Sequence, residues 1–493
     1  MNVELDKIEI PDYPSGSYNF VRRLRKEKEL SFPTPIKSKL SRKPAAPTTN
    51  TSETRISNGT NGTTDHPWAK LKVAIIGAGV GGLSNAIALT RMGHEVSIYE
   101  QASALSEVGA GIQIPPNSTR ILHSWGLGPA LQRRSVKPTA LLWRRWEDGS
   151  IIGKAKLNPE SEQRFGSPYY VTHRAHLHEV LHDRTVELGV PVYLSKRVQK
   201  YDTQNGEVTF DDGNLIKADL IVAADGLKST ARRELNSAKD KGPWGHGLSA
   251  YRGTIAVADM RADPLTKWIV EQPNLHLWVG HDLHVMSYAI AGGERFNLVV
   301  THPQNPKEAT EQPLSRILEE MRSHYVGWDP CLRRLLEMVT STIDWPINCI
   351  DIPDTWSSES GKLLITGDAA HAMVPYMALG AAMAVEDAAA LAATLKHVKS
   401  KEDLPAAMSK WEESRKPRVK KVHAASYGHG LILHLPDGPV QRARDEAMKA
   451  ELEGAEVKES PNQWSDPVLT EWAYGHDPEA EIDQLWSAGE GQP

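Results

Sequence analysis

Short apolar runs followed by glycine-containing turns recur along the chain and predict parallel strands that alternate with helices. Residues 71–76 (LKVAII) are apolar and β-branched, as in a strand that is buried on both faces. A glycine-rich turn follows, and the apolar spacing of residues 83–93 predicts a helix that ends at Gly93. Residues 95–100 (EVSIYE) then predict a second strand, which completes a β-α-β unit.

The later part of the chain repeats this pattern and then departs from it. Two more apolar runs, 219–224 and 363–366, are each followed by a turn that contains a glycine and an acid. Apolar spacing predicts helices over three segments, 174–188, 380–397 and 404–426. Between about residues 245 and 345, short alternating runs instead predict antiparallel strands, within 251–260, 284–293 and 296–300.

Composition excludes several classes of protein. The 493-residue chain is 40% hydrophobic and 24% charged with a net charge of −5, which predicts two or three globular domains and no nucleic-acid binding. Cys331 and Cys349 cannot build a cysteine zinc site, and the histidines have no metal-ligand spacing, so we expect no metal. Without an apolar run of ~18 residues or a secretory signal, we expect a cytoplasmic protein with no stable membrane insertion.

The turn after the first predicted strand has the spacing of a dinucleotide-binding site. Gly77, Gly79 and Gly82 fit G-x-G-x-x-G, whose glycines allow a tight turn, a close approach of a pyrophosphate and close packing of helix on strand. Glu100 ends the second strand, where a carboxylate can bind the adenosine ribose. Because that carboxylate would repel a 2′-phosphate, these residues favour NAD or FAD.

Four further segments resemble one enzyme family. The first is a run after the second strand, 108–122 (VGAGIQIPPNSTRIL), and the second has an arginine at a helix start, 173–181 (HRAHLHEVL). The third is an Asp-Gly turn, 224–232 (ADGLKSTAR), and the fourth is a Gly-Asp turn before an alanine-rich helix, 367–391 (GDAAHAMVPYMALGAAMAVEDAAAL). With the fingerprint, they resemble the class A flavin-dependent aromatic hydroxylases, especially the salicylate hydroxylase-like branch. The resemblance covers residues 71–486 and implies that the dinucleotide is FAD.

The resemblance implies roles for individual residues around the cofactor. Backbone at Gly111 is expected near the flavin ring, and Arg174 is expected to reach the cofactor. Asp225 matches the residue that contacts both FAD and the passing nicotinamide cofactor, and Asp368 matches the one that binds the ribityl hydroxyls. The expected cofactor site therefore draws on turns that are far apart in the sequence.

The alanine-rich helix is expected to point its N-terminus at the flavin. Free N–H groups at Gly380 and Ala381, together with the helix dipole, would stabilise negative charge at the N1/C2=O edge of reduced flavin. The family commonly has glutamine just before this glycine, whereas this sequence has Leu379. A side-chain hydrogen bond near the ring is thereby lost, which leaves the orientation of the substrate open.

Two residues of the predicted antiparallel region are candidate catalytic residues by the same resemblance. Arg252 lies in the family's Y-R-G strand, and its planar guanidinium suits a carboxylate or a phenolate. Tyr288 lies in a tyrosine-containing strand and can donate a hydrogen bond or relay the phenol proton. The resemblance implies that NADH or NADPH reduces FAD transiently and that a flavin C4a-hydroperoxide then hydroxylates an electron-rich ring.

The expected fold class is α/β. We expect a Rossmann-like FAD-binding domain (GR2-type, para-hydroxybenzoate hydroxylase-like) with an inserted antiparallel β-sheet substrate domain and C-terminal helices. We expect a disordered basic and polar tail over 1–70 and a discontinuous FAD-binding domain over 71–244 and 346–400. A β-rich substrate domain is expected over 245–345 and a C-terminal helical segment over 401–493. Basic residues within 410–445 are expected on a solvated helix face.

The expected function is an FAD-dependent, NAD(P)H-consuming monooxygenase that hydroxylates a phenolic acid or related aromatic, with or without decarboxylation. Its expected partners are a small aromatic substrate and molecular oxygen, in a monomer or homodimer. Two alternatives stay open: a flavin epoxidase or oxidative-rearrangement enzyme on the same scaffold, and a non-catalytic flavin-binding adaptor. Loss of the Arg-Tyr pair would favour the first alternative, and NAD(P)H oxidation stimulated by substrate would exclude the second.

Overall fold

The computed structural model describes residues 67–105, 109–304, 313–455 and 457–490. The prediction of a disordered tail over 1–70 falls almost entirely outside the described residues, as does Val108. The fold below concerns the described part of the chain. None of its helices is both long enough and apolar enough to cross a membrane.

The strands fall into four sheets of five, three, seven and three strands. In chain order they are β1 (Lys72–Ile76), β2 (Glu95–Tyr99), β3 (Gly111–Ile114), β4 (Ser135–Val136), β5 (Ala140–Arg145), β6 (Ile151–Lys156), β7 (Tyr170–His173), β8 (Val192–Tyr193), β9 (Val198–Asp202), β10 (Glu207–Phe210), β11 (Leu215–Lys217), β12 (Leu220–Ala223), β13 (Trp244–Ala256), β14 (Leu275–Val279), β15 (His284–Ile290), β16 (Arg295–Pro303), β17 (Ile343–Cys349) and β18 (Leu363–Ile365).

The α-helices surround these sheets and dominate the C-terminal part of the chain. In chain order they are α1 (Val80–Arg91), α2 (Pro116–Ser124), α3 (Gly128–Arg134), α4 (Glu160–Phe165), α5 (Arg174–Glu187), α6 (Thr230–Asn236), α7 (Val257–Ala262), α8 (Leu314–Ser323), α9 (Pro330–Met338), α10 (Asp368–His371), α11 (Gly380–Leu395), α12 (Leu404–Leu433), α13 (Pro439–Ala447), α14 (Lys449–Leu452), α15 (Pro467–Tyr474) and α16 (Pro478–Glu490).

The five-stranded parallel sheet confirms the predicted β-α-β unit and carries the glycine-containing turns. Its strand order is β18-β12-β1-β2-β8. In β1, the successive residues Val73 and Ala74 point to opposite faces and are at most 4% exposed, because both faces of the sheet are covered. Since β18, β12 and β1 are parallel neighbours, the turns that follow them meet at one edge of the sheet.

The seven-stranded sheet is the predicted β-rich region, but it recruits strands from elsewhere. Its order is β17-β13-β16-β15-β14-β5-β6, and β5 pairs in parallel with β14. The sheet thus draws on residues 140–156, which the predicted division gives to the FAD-binding domain. A local apolar pattern marks a strand but does not record which distant strand it pairs with.

Two predicted elements differ from the observed ones. The strand predicted to run to residue 260 ends at Ala256, and α7 follows because Val257 and Met260 are buried at the helical spacing of three residues. Helix α12 continues past the predicted end at residue 426 because Ile432 and Leu433 extend its buried face.

Candidate active site

The glycine-rich turn between β1 and α1 has the geometry that the fingerprint predicts. A Cβ atom on Gly82 would lie 1.9 Å from the carbonyl oxygen of Gly77, so only glycine allows this packing of helix on strand. Gly77 itself has a φ of +101°, and a Cβ there would lie 2.4 Å from the carbonyl oxygen of Ala224. A Cβ on Gly79 would meet no atom within 4 Å, so the start of α1 faces open space.

Glu100 lies beside the same turn and helps to fix it. Its carboxylate accepts hydrogen bonds from the backbone N–H groups of Ala78 and Ala102, both at 2.8 Å. Each oxygen still has a lone pair, so the carboxylate can also accept hydrogen bonds from a ribose. The ribose-binding role of Glu100 stays a prediction.

The Gly-Asp turn and the start of α11 lie opposite the start of α1. A Cβ on Gly81 would lie 3.5 Å from Cβ of Ala384 and 3.9 Å from Cα of Gly367, which fixes how closely these elements approach. Asp368 is exposed, lines the cavity between them and makes no hydrogen bond within the described chain. Gly380 and Ala381 are half-buried and line the same cavity, so the predicted N-terminus of α11 opens into it.

Four charged residues, called the ion cluster here, hold the Gly-Asp turn in place: Glu386 and Asp387 of α11 with Arg415 and Arg418 of α12. Asp387 accepts hydrogen bonds from the Gly367 N–H at 3.2 Å and from Arg415 Nε at 2.8 Å. Arg418 binds both oxygens of Glu386 at 2.7 Å. The cluster thus ties the turn that carries Asp368 to two long helices.

The ion cluster corrects one sequence-based expectation. Arg415 is 0% exposed and Arg418 is 5% exposed, although the basic residues of this segment were expected on a solvated face. Burial alone would raise the pKa of Glu386, but the guanidinium groups of Arg418 and Arg415 outweigh it and lower that pKa to about 2. These arginines are buried because carboxylates 28 to 32 residues earlier neutralise them, which spacing along the chain does not reveal.

A cavity of about 380 Å³ joins the two helix starts to the seven-stranded sheet. Strand register divides the cavity-facing side of that sheet into three rows. The near row is Tyr288 and Asn297, the middle row is Leu277, Met286, Val299 and Arg252, and the far row is His284, Thr301 and Ala250. Successive rows lie about 7 Å apart along the strands. The middle row is apolar except for Arg252, and the outer rows are polar.

The two predicted catalytic residues lie on this wall. Arg252 and Tyr288 both line the cavity, and burial lowers the pKa of Arg252 while the nearby Tyr288 raises it. Arg252 Nε is buried and makes no hydrogen bond with the described residues. Burial also raises the pKa of Tyr288, so its hydroxyl stays protonated at neutral pH and can donate a hydrogen bond. The arrangement is suited to binding an anionic oxygen.

Gly111 lies beside the near row and lines the same cavity as the starts of α1 and α11. Its N–H donates to Asn297 Oδ1 at 2.7 Å, and a Cβ on Gly111 would lie 2.6 Å from the ring of Tyr288. Arg174 lines the same cavity, and its backbone N–H donates to the Ala110 carbonyl at 2.9 Å. Both residues are therefore at the cavity, while their cofactor roles stay predictions.

Two positions differ in detail from what the motifs suggest. Asp225 accepts hydrogen bonds from the N–H groups of Thr230 and Ala231 at the start of α6, and its neighbour Gly226 lines the cavity instead. Its predicted contact with FAD and nicotinamide is untested. Leu379 is 1% exposed and lies in the core, so no polar side chain stands just before Gly380.

Sequence reasoning missed His284 and Tyr376, which line the cavity, and His434, which contacts His284. His284 and Tyr376 line the cavity, and the Tyr376 hydroxyl is buried without a hydrogen-bond partner. His284 Nδ1 lies 2.7 Å from Nε2 of His434, which is 150 residues away in the chain. The resemblance gave no role to any of the three, and no motif contains His284 with His434.

The residues at the sheet edge fit a dinucleotide. Two helix N-termini open into one cavity, Gly79 leaves space for a pyrophosphate, and Asp368 offers an unpaired carboxylate to hydroxyl groups. Within the described residues, no three His, Cys, Asp or Glu side chains are grouped so as to hold a metal ion. The two helix N-termini and the Asp368 carboxylate suit a phosphate- and hydroxyl-bearing organic cofactor.

Comparison with known proteins gives one family and close relatives. The family described as "FAD binding domain" matches residues 70–426. FAD-dependent monooxygenase OpS4 of Beauveria bassiana is 35% identical over 410 residues, which cover 83% of this chain and 95% of the relative. The 3-amino-4-hydroxybenzoate 2-monooxygenase PtnB3 of Streptomyces platensis is 38% identical over 380 residues, covering 76% and 92%.

Solved structures show the same fold. A salicylate hydroxylase in complex with its substrate superimposes with a TM-score of 0.67 at 24% identity, covering 84% of this chain and 98% of the other. At this identity the likeness shows the fold, and it covers most of this chain.

Proposed function

Since the chain belongs to the FAD binding domain family and is an FAD-dependent monooxygenase, we propose that it hydroxylates a phenolic acid or closely related aromatic. The reductant is NADH or NADPH, and the second oxygen atom of O₂ leaves as water. The observation that carries this proposal is that Arg252 and Tyr288 line the cavity into which the two helix N-termini open.

The proposed cofactor residues divide the molecule of FAD between them. The α1 N-terminus at Gly79 binds the pyrophosphate, Glu100 the adenosine ribose and Asp368 the ribityl hydroxyls. The α11 N-terminus at Gly380 supplies N–H groups and a partial positive charge to the flavin. FAD, when bound, supplies the electron transfer and the oxygen activation.

The remaining chemistry belongs to the side chains of the sheet. Arg252 binds the carboxylate or phenolate of the substrate, because its buried Nε has no other partner. Tyr288 donates a hydrogen bond to the same end of the substrate and, with its raised pKa, does not act as a base. Leu277, Met286 and Val299 form an apolar floor that excludes water from the ring.

The Arg-Tyr pair favours aromatic hydroxylation over epoxidation or oxidative rearrangement. Those reactions need no group to hold a phenolate, whereas Arg252 is a cation with an unpaired donor at the cavity. The relative from Streptomyces platensis is named for an aminohydroxybenzoate, which is a phenolic acid. Whether the reaction is decarboxylative depends on where the carboxylate lies relative to the attacked carbon.

A screen of hydroxybenzoates tests the proposal directly. We expect the FAD-loaded protein to oxidise NADH or NADPH at least tenfold faster with one aromatic acid, with oxygen uptake and a product one oxygen atom heavier. In a decarboxylative reaction, the product would instead have a hydroxyl group in place of the carboxyl group, with release of CO₂. Arg252→Ala should retain FAD and raise KM at least tenfold or release hydrogen peroxide in place of product; unchanged KM and coupling would remove Arg252 from the site.

A further inference from the structure

The far row of the cavity wall contains polar groups that the proposed hydroxylation does not use. His284 lies four residues before Tyr288 on β15, so the two side chains share one face about 13 Å apart. Between them lies Met286 of the apolar middle row. The cavity therefore has a second polar end, beyond the floor on which an aromatic ring would rest.

His284 is held in a fixed orientation by its neighbours. Its backbone N–H donates to Thr301 Oγ1 at 2.8 Å, and that hydroxyl donates to the His284 carbonyl at 2.8 Å. Its Nδ1 is 2.7 Å from His434 Nε2, its Nε2 makes no hydrogen bond with the described residues, and His284 lines the cavity. The pair of imidazoles thus fixes the ring and leaves one nitrogen free for a ligand.

This end of the cavity is neutral. Burial lowers the pKa of His284 to about 3, and burial with the nearby His284 lowers that of His434 well below its usual value, so both imidazoles are uncharged at neutral pH. Among the described residues that line the cavity, the charged ones are Arg174, Arg252 and Asp368, and none of them belongs to the far row. A carboxylate would find no cation here, whereas a hydroxyl, amino or carbonyl group would find a hydrogen-bond partner.

Tyr376 adds a second unpaired group beside the imidazole pair. Its ring lies edge-on to His284 and His434, with centroids 5.7 and 5.5 Å away, and its buried hydroxyl has no partner. A Cβ on Gly430 would lie 2.5 Å from the Tyr376 ring, so this glycine lets the tyrosine pack against α12. Unpaired buried polar groups are costly, which favours a ligand that satisfies them.

We propose that His284, positioned by His434, is a specificity-determining residue that binds a neutral hydrogen-bonding substituent of the substrate. The substrate class is then an aromatic acid that carries a hydroxyl, amino or carbonyl group on the side of the ring away from the group bound by Arg252. This inference rests on the proposed function, because it takes the same cavity to be the substrate site. It adds a second recognition point that selects among aromatic acids.

The test is a set of binding titrations with matched probes. Flavin absorbance of the FAD-loaded protein is followed with benzoate, 4-hydroxybenzoate and 3-amino-4-hydroxybenzoate, which add one neutral group at a time. The readout is the ratio of the Kd for benzoate to the Kd for 3-amino-4-hydroxybenzoate. We expect a ratio of at least ten in the unaltered protein, since a site built for a polar group discriminates against an analogue that lacks it.

The variant His284→Leu should lower this ratio at least fivefold and change the Kd for benzoate less than threefold. His284→Gln, which keeps a hydrogen-bonding group, should recover part of the ratio. The control is His302→Leu, because His302 is also a buried histidine of this sheet but stacks on Tyr251 on the other face; its ratio should be unchanged. The proposal would be overturned if His284→Leu kept the unaltered ratio, or if only Tyr288→Phe lowered it. It would also be overturned if His284→Leu weakened the binding of all three probes equally.

A separate variant distinguishes this inference from the proposed function. Arg252→Met should raise the Kd for benzoate at least tenfold. It should change the ratio of the Kd for benzoate to the Kd for 3-amino-4-hydroxybenzoate less than threefold. If Arg252→Met binds benzoate normally, the acid-binding role of Arg252 is wrong, but the ratio in His284→Leu still decides the role of His284.

Discussion

The ion cluster and the cavity wall are both rich in buried polar groups, yet they differ in how those groups are satisfied. In the ion cluster, Asp387 and Glu386 receive charged hydrogen bonds from Arg415 and Arg418 at 2.7 to 3.1 Å. On the cavity wall, Arg252 Nε and the Tyr376 hydroxyl make no hydrogen bond with the described residues. Every charge of the ion cluster faces an opposite charge, although Arg415 Nη1 makes no hydrogen bond with the described residues. The cation of the cavity wall has no such counter-charge among them.

This difference separates structural from functional polarity. A buried charge that finds its counter-charge within the chain stabilises one arrangement of helices, whereas one without it keeps a desolvation cost until a ligand binds. The same contrast applies to two glycines of the fingerprint: Gly82 is packed against backbone, and Gly79 faces open space. Each of these two differences can be tested by making the same substitution on both sides of it.

The largest expected effect is on stability, from the same substitution at two buried arginines. Arg415→Met leaves two buried carboxylates short of a partner and should lower the free energy of unfolding by about 3–5 kcal/mol. Arg252→Met removes a cation without a counter-charge and should change it by less than about 1 kcal/mol. Denaturant unfolding of both proteins without FAD provides the comparison, and equal losses would show that the two regions do not differ.

The next effect separates cofactor binding from folding. Gly79→Val places a side chain in the open space at the start of α1. The chain should still fold, but its affinity for FAD should fall at least 100-fold. Gly82→Val meets the Gly77 carbonyl and should instead reduce the yield of folded protein. Circular dichroism and flavin absorbance measure the two outcomes, and full flavin occupancy in Gly79→Val would contradict the site.

Asp368→Ala should also yield mostly colourless protein, because the unpaired carboxylate is proposed to bind the ribityl hydroxyls. Asp368→Asn, which keeps an acceptor oxygen, should retain more flavin than the alanine variant. Equal, full occupancy in both would remove Asp368 from the cofactor site.

The smallest effect is a pH dependence from buried histidines, including His276 and His476 elsewhere in the protein. Near the cavity they are His284 and His429 of α12, whose ring packs on Trp464. The folded-state pKa values of His284 and His429 are lowered to about 3 by burial, so unfolded histidine takes up protons first as the pH falls below ~6.5. Stability is therefore full above ~6.5 and falls toward acid, by about 1.4 kcal/mol per histidine at pH 5.5. The pKa of Glu386 is about 2, so its contribution is lost only below ~4.5.

Denaturant unfolding at pH 7.5 and 5.5 measures this effect. His429→Leu should reduce the fall between the two values by about 1.4 kcal/mol, because neither nitrogen of His429 has a partner that would offset its burial. If the fall is the same in His429→Leu, the histidines of this region are not buried as neutral groups.

The sequence predicted the parts of the molecule that short segments encode. The β-α-β unit and the α/β fold with its C-terminal helices are confirmed. The unit is predictable because its strand, turn and helix lie within about thirty residues of one another. FAD as the cofactor is confirmed by the family to which the chain belongs. The roles of single site residues stay predictions.

What the sequence did not predict depends on distant partners. Arg415 looks like a solvated helix residue until α11 brings Asp387 beside it, and β5 gives no sign that it pairs with β14. His284 and His434 are similarly joined only in the folded chain. Each of these features is a pairing between segments, and neither segment alone carries a signal for the other.

The central claim is that the unpaired groups of the cavity wall bind an aromatic acid beside FAD. A crystal structure of the FAD-loaded protein with 3-amino-4-hydroxybenzoate tests it most directly. The account predicts an anionic oxygen of the ligand within hydrogen-bond distance of Arg252, the ring on the floor formed by Met286 and Val299, and a neutral substituent toward His284. A ligand bound elsewhere while these groups stay unpaired would contradict it.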